Sequence, residues 1–203
     1  MSKVEDKKKR KKDALFNTAF ELFTTKGINK TAISDIVERA GVAKGTFYLY
    51  FKDKYDIRNK LIVHKANELF SLAEGALNQT QISGFEDSML FIIDYILDRL
   101  TEDPSLLRFI AKNLGWGVFN KALNLPRENN APNFYELYLE MIRRDKADYE
   151  DPDKMLFTII ELTSSTCFTT ILEEDPFSIE EFRPHLHRSI RAIMREYQKE
   201  ETA

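Results

Sequence analysis

Thr31-Ala32-Ile33-Ser34-Asp35-Ile36-Val37-Glu38-Arg39-Ala40-Gly41-Val42-Ala43-Lys44-Gly45-Thr46-Phe47-Tyr48-Leu49-Tyr50-Phe51 is the stretch from which the fold can be read. Ile33, Ile36, Val37 and Ala40 recur at three- and four-residue steps, which places them on one face of a short helix. Gly41 stops that helix, and Thr31 stands where a side-chain oxygen is expected to cap it. A second helix is predicted from Lys44 to about Phe51, with Phe47 and Phe51 turned inward onto Ile36, Ala40 and Val42. Lys44, Gly45, Thr46, Tyr48 and Tyr50 are left for its outer face. Two short helices joined by a sharp turn can set the second into the major groove of duplex DNA, where polar side chains reach phosphates and base edges.

Upstream, Leu15, Phe16, Ala19, Phe20 and Phe23 mark a helix beginning at Asp13 and ended by Gly27. Residues 7–12 are Lys-Lys-Lys-Arg-Lys-Lys, a like-charge block expected to stay mobile until it meets an anion such as phosphate. Downstream, Asp53 and Asp56 give a capping signal for a fourth, longer helix carrying Ile57, Leu61, Ile62, Leu69, Phe70, Ala73 and Leu77. Beyond it, Phe85, Met89, Ile93, Ile96 and Leu100 form one helical stripe, and Phe134, Leu137, Tyr138, Met141 and Ile142 another. Asp103-Pro104 and Asp151-Pro152 are expected N-cap and N1 pairs, Asp175-Pro176 closes a segment, and Asn124 to Asn133 is a loop. Met155 to Leu172 is apolar or small apart from Glu161, which predicts a helix buried on most sides. A Ser178 to Glu181 capping box opens the last helix, with a kink or delay expected at Pro184. No strand alternation competes, so the expected fold class is all-α: a basic arm and three-helix domain over 1–54, then a larger helical domain over 55–203, with the boundary inside the fourth helix.

The chain of 203 residues is 43% apolar and 31% charged, ordinary values for a globular protein. Its net charge of -3 conceals an asymmetry. Residues 1–60 hold 15 Lys+Arg against 8 Asp+Glu, and the remainder holds 15 against 25. A basic first third suits a nucleic-acid partner, because cationic side chains release counterions from phosphate. The single Cys167 leaves no internal disulfide and suits a reduced, cytoplasmic setting, where it reads as a small buried residue. No uninterrupted apolar run approaches the roughly 18 residues of a membrane helix. His185 and His187 are two apart and diverge on a helix, so no metal site is expected, and His64 stands alone. Gly41 to Thr46 lacks the spacing of a phosphate loop. With no clustered acid, base or nucleophile and no cofactor motif, an enzyme is not expected. A DNA-binding regulator and a non-sensing helical adaptor remain.

The run from Thr31 to Phe51, followed by Lys52-Asp53-Lys54, closely resembles the signature of the TetR family of transcriptional regulators. The likeness covers about 45 residues, from the first helix into the fourth. It implies that Thr31 caps the second helix and touches a phosphate, that Lys44, Gly45 and Thr46 lie at the groove end of the recognition helix, and that Tyr48, Tyr50 and Lys54 clamp the DNA backbone. Ala43 stands where the family commonly has a capping serine, and Leu49 where an aromatic is common and where it can meet a thymine methyl. The resemblance also implies a repressor that binds a pseudo-palindromic operator in double-stranded DNA as a homodimer and is released by an apolar or aromatic small-molecule effector. Phe91, Tyr95, Phe109, Trp116, Phe119, Tyr138, Phe157 and Phe168 are the candidate pocket residues. The last two long helices, with Thr163, Thr166, Ile190, Ile193 and Tyr197, are the candidate dimer interface.

Overall fold

Ten α-helices account for the ordered elements in the computed structural model, which describes residues 3–111, 116–126 and 132–199. They are α1 Lys3–Thr25, α2 Ile33–Arg39, α3 Lys44–Tyr50, α4 Lys54–Leu77, α5 Phe85–Glu102, α6 Pro104–Ala111, α7 Trp116–Leu123, α8 Phe134–Arg144, α9 Pro152–Leu172 and α10 Ile179–Glu196. An isolated antiparallel bridge, Tyr149 to Gln198, is the one β-type pairing among the described residues. The all-α expectation therefore holds. Two compact units divide the chain, Met1–Lys65 and Ala66–Ala203, so the change of unit falls inside α4.

In the first unit the apolar stripe of α1 (Leu15, Phe16, Ala19, Leu22) is buried with Ile36 of α2, Phe47 of α3, Phe51, and Ile57 and Leu61 of α4. Phe51 is the hub. Its ring centroid lies 5.3 Å from Phe16 and 5.5 Å from Phe47, the tilted geometry that aromatic quadrupoles favour. Gly41 has φ +65°, a left-handed conformation that a side chain would strain, and it forms the turn between α2 and α3. The Lys7 to Lys12 block is helical, not a mobile leader, since α1 already begins at Lys3. Glu5 and Asp6 in the first turn complement the helix dipole, and the cationic side chains stand in water, with Lys12 Nζ 5.5 Å from the Phe16 ring centroid.

The second unit buries Phe85, Met89, Ile92 and Leu97 of α5 against its other helices, together with Leu186, Ile190 and Met194 of α10. Helices α9 and α10 pack on one another, and both also meet α5. Beside the apolar seam of α10 runs an ionic ladder to α5. Arg183 bonds Asp94 (3.1 Å) and Asp98 (2.5 Å), His187 bonds Asp94 (2.8 Å), and Arg191 reaches Glu86 and Asp87. Residues 183, 187 and 191 are spaced by four and so lie on one stripe of the helix. Ladder and cap together carry α10 through Pro184: the helix runs unbroken from Ile179 to Glu196, opened by the reciprocal Ser178 and Glu181 bonds. The helix start is not delayed by the exposed proline, which deletes a single backbone bond one turn inside it. Asp103 accepts from the Leu106 N–H (3.0 Å) as a cap should. Asp151 does not: it sits at φ 43° with its carboxylate taken by Lys154 at 2.6 Å.

Helix α9 departs from expectation in burial. An 18-residue window of it has mean hydropathy 1.5, enough by length and composition to cross a membrane, yet only 28% of that window is buried. Glu161 and the Ser/Thr residues interrupt its apolar run. One side of it faces a cavity and another is uncovered, as the 41% exposure of Phe157 shows. Ile190, by contrast, is fully enclosed within its own chain, which removes it from any dimer interface. Ile190→Ala should lower unfolding free energy by about 2–5 kcal/mol through cavity formation. Urea denaturation should show the midpoint falling with an unchanged slope, and a variant as stable as the parent would contradict this placement.

Candidate nucleic-acid interface and ligand cavity

The loop leaving α1 exposes several carbonyls that need donors once buried. Thr31 supplies one set. It is 1% exposed, its hydroxyl donates to Gly27 O (2.9 Å) and Leu22 O (3.4 Å), and its N–H to Ile28 O (3.3 Å). Lys54, at the first turn of α4, supplies the other: its ammonium donates to Ile28 O (2.9 Å), Thr31 O (3.2 Å) and Asn29 O (3.3 Å). Two sequence expectations are thereby corrected. Thr31 does not cap α2, whose N-cap is Ala32, with the Asp35 carboxylate accepting from the Ala32 N–H at 3.3 Å. Its side chain faces inward and cannot touch a phosphate. Lys54 has its three donors engaged on three carbonyls, so it anchors the loop rather than clamping DNA.

Beyond that anchor, α3 presents its outer face. Ala43 is its N-cap and offers no side-chain bond, and Ala43, Lys44 and Gly45 are exposed. A Cβ built on Gly45 meets nothing within 4 Å, so the helix start is open to close approach. Thr46 is half-buried, with its N–H on Ala43 O at 2.8 Å. Tyr48 is 52% exposed and edge-on to Phe47 at 5.5 Å, while Leu49 is 80% exposed with nothing of the fold to cover it. Tyr50 is half-buried and donates to Lys8 O at 3.3 Å. The α3 to α4 turn is closed by reciprocal capping. Asp53 accepts from the Tyr55 and Asp56 N–H groups at 2.8 Å, and Asp56 accepts from the Lys52 N–H (2.9 Å) and Lys60 (3.0 Å). Burial would push the Asp56 carboxyl up, but those two donors prevail and hold it below its ordinary value of 3.8. His64 stacks on Phe16 with ring centroids 5.1 Å apart.

The second unit contains a cavity of about 890 Å³. Its wall is aliphatic: Leu69, Met89, Ile92, Ile93, Ile96, Leu97, Leu100, Leu107, Leu156 and Ile159 contribute, with Phe70, Phe134 and Phe168 the aromatic members. Of the expected pocket residues whose side chains are described, only Phe168 lines it. Phe91 borders a separate, shallower cleft of about 520 Å³ beside His187 and Arg191, and stacks with Tyr95 at 6.4 Å. Phe109 and Tyr138 belong to the core, the Tyr138 hydroxyl donating to Pro152 O at 2.8 Å, and burial pushes that phenol up. Phe157 is 41% exposed and does not line the cavity. The side chains of Trp116 and Phe119 lie outside the described residues. Thr163, expected at the dimer interface, lines the cavity instead, while Thr166, Ile193 and Tyr197 are half-exposed. Cys167 is a buried wall residue whose thiol is pushed up to about 11 by burial, and so is a poor nucleophile. Among the described residues no group of three or more His, Cys, Asp or Glu could hold a metal. Aliphatic lining residues such as Ile92 and Ile96 were missed because a core stripe and a cavity wall have the same periodicity.

Residues 15–61, which include all of α2 and α3, match the profile of the bacterial regulatory proteins of the tetR family. Over these residues the chain is similar to the TetR family. It is 37% identical over 93 residues to the HTH-type transcriptional regulator YvdT of Bacillus subtilis (43% of this chain, 42% of that one) and 35% identical over 92 residues to the fatty acid metabolism regulator protein of the same organism (45% and 46%). In both cases the chain spans less than half of the relative's length. The fold of nearly the whole chain is shared with the B. subtilis transcriptional regulator FadR solved in complex with stearoyl-CoA, at a TM-score of 0.59 and 18% identity, covering 87% of this chain and 96% of that one.

The TetR-type unit rests on Lys54. Lys54→Met keeps the aliphatic stem but orphans three carbonyls, and should lower its stability by about 1–3 kcal/mol, read as an earlier thermal transition. An unshifted transition would refute the anchoring role. For Asp56 the folded carboxyl lies below its unfolded value, so its contribution is present above pH 3.8 and is lost as pH falls through the folded value. Asp56→Asn should flatten the acid limb of the stability profile below about pH 4.

Proposed function

We propose that this chain binds a pseudo-palindromic operator in duplex DNA as a homodimer and represses transcription in the cytoplasm until an apolar small molecule enters the cavity of the second unit. The observation that carries the reading is the outer face of α3, where Ala43, Lys44, Gly45, Tyr48 and Leu49 stand exposed on a helix whose other face is fixed by Phe47 and Phe51. Lys44 can bond phosphate or a guanine edge, Gly45 lets the backbone approach, Tyr48 donates to phosphate, and Leu49 offers an apolar surface to a thymine methyl. The exposed lysines and arginine of the first two turns of α1 add phosphate contacts, and Tyr50 holds that segment to α3 through Lys8 O.

Dimerisation is supported by α9, an apolar helix largely uncovered within one chain, and by the adjoining α10. A second copy meeting Thr166, Ile193 and Tyr197 would cover that surface with four helices. The effector reading is supported by the cavity, whose volume of about 890 Å³ falls in the range of about 300–1,000 Å³ typical of ligand pockets. The likeness to a FadR solved with stearoyl-CoA also favours an effector with a long hydrocarbon chain. Helix α4 offers a route of coupling, because it bears the Lys54 anchor near its start and Leu69 and Phe70 of the cavity wall further along.

Fluorescence anisotropy with duplexes drawn from the region upstream of the protein's own gene should give a Kd of about 10⁻⁸ M or tighter for one site. Lys44→Ala should weaken that site by about 1–3 kcal/mol, and more than it weakens unrelated duplex, if Lys44 reads a base. Binding of all upstream duplexes at the level of random DNA would sink the regulator reading.

A further inference from the structure

Two charged residues stand in the aliphatic cavity wall among the described residues, Arg108 and Glu161, and their circumstances differ. Arg108 is exposed, so its guanidinium is hydrated and gains little from a ligand. Glu161 is half-buried, in the middle of α9, and among the described residues nothing bonds or pairs with its carboxylate. Ser164 and Ser165, one turn further along the same helix, also line the cavity. Ser164 donates to the Glu161 carbonyl at 3.4 Å, which leaves its hydroxyl lone pairs free to accept. The Thr163 hydroxyl, buried on the neighbouring part of the wall, has no hydrogen-bond partner. The polar groups of α9 thus offer the cavity a carboxylate and hydroxyl acceptors, set against an otherwise hydrocarbon wall.

We propose that the effector is a lipophilic amine: an elongated hydrocarbon body filling the aliphatic wall, with one ammonium group held by Glu161 and the hydroxyls of Ser164 and Ser165. This rests on the reading of the cavity as an effector site and specifies its chemistry. A hydrocarbon body that fills the cavity displaces water from the half-buried Glu161 carboxylate, and an ammonium with three N–H donors offsets that loss while a ligand carboxylate would add to it. The free energy gained is therefore differential. It favours the cation over an uncharged molecule of the same length, and both over an anion.

The three linear twelve-carbon compounds dodecylamine, dodecanol and dodecanoate separate these cases when titrated calorimetrically into the purified full-length chain below their micelle concentrations. Dodecylamine should bind at least about tenfold more tightly than dodecanol, and dodecanoate more weakly than either. Glu161→Gln keeps the shape and removes the charge, and should bring dodecylamine to the affinity of dodecanol while leaving dodecanol itself unchanged. An unaltered melting temperature for that variant without ligand would exclude misfolding as the cause. Dodecanoate binding most tightly, or a Glu161→Gln variant that keeps the preference for the amine, would overturn the proposal and leave the cavity reading intact. Failure of all three compounds to bind would overturn both.

Discussion

The Lys54 ammonium and the three carbonyls it gathers are the constraint on which the first unit depends. A chain that leaves one helix and turns into another must release carbonyls from the backbone ladder, and here those of Ile28, Asn29 and Thr31 converge on one cation. Thr31 completes the arrangement from the other side by donating to Gly27 and Leu22. With the loop fixed in this way, α2 meets α1 at a set angle, Ile36 and Phe47 can close on Phe16 and Phe51, and the outer face of α3 is aimed without help from its own weak caps. Polar satisfaction comes first here, and the aromatic core builds upon it.

The second unit solves a different problem, how to hold helices firmly around a space that is not filled. Its answer is to put strong interactions away from the cavity. The ladder of Arg183, His187 and Arg191 on α5 carboxylates, the bridge between Tyr149 and Gln198, and the Phe85, Tyr138 and Tyr149 cluster frame the unit, while aliphatic side chains with few specific contacts form the wall. A wall of Leu and Ile loses packing energy where it faces a void, so occupancy by a hydrocarbon would stabilise this unit in particular. Under the proposal above, Glu161 with the neighbouring hydroxyls adds a directional element to a wall that is otherwise mostly aliphatic among the described residues.

Periodicity, glycines and capping residues made the helices legible, including α2 and α3 almost to the residue and the Ser178 to Glu181 opening of α10. What stayed hidden was the direction of individual side chains. Thr31 and Lys54 have the composition of phosphate contacts, and only the fold reveals that backbone carbonyls already claim them. Phe91, Phe109 and Tyr138 are aromatic residues of α5, α6 and α8, as pocket residues could be, yet helical spacing cannot distinguish a stripe facing a void from one facing other side chains. Ile190 was legible as apolar but not as enclosed. The pairing of His187 with Asp94 spans 93 residues of sequence and has no local signal. The lysine block of α1 was read by its charge alone, and its continuity with the amphipathic helix behind it decided the conformation instead.

Helix α3 has seven residues and an N-cap without a side-chain bond, and its inward grip comes from Phe47. Tyr48 and Leu49 on its other side add little to the folding free energy, because one is half in water and the other almost wholly so. The positions that would read a DNA sequence are thus nearly free to mutate without unfolding the protein, whereas Phe47, Phe51, Thr31 and Lys54 are not. A lineage built on this framework can change which sites it occupies in single steps, each neutral for stability, and copies of one ancestral gene can diverge in target while keeping the same scaffold.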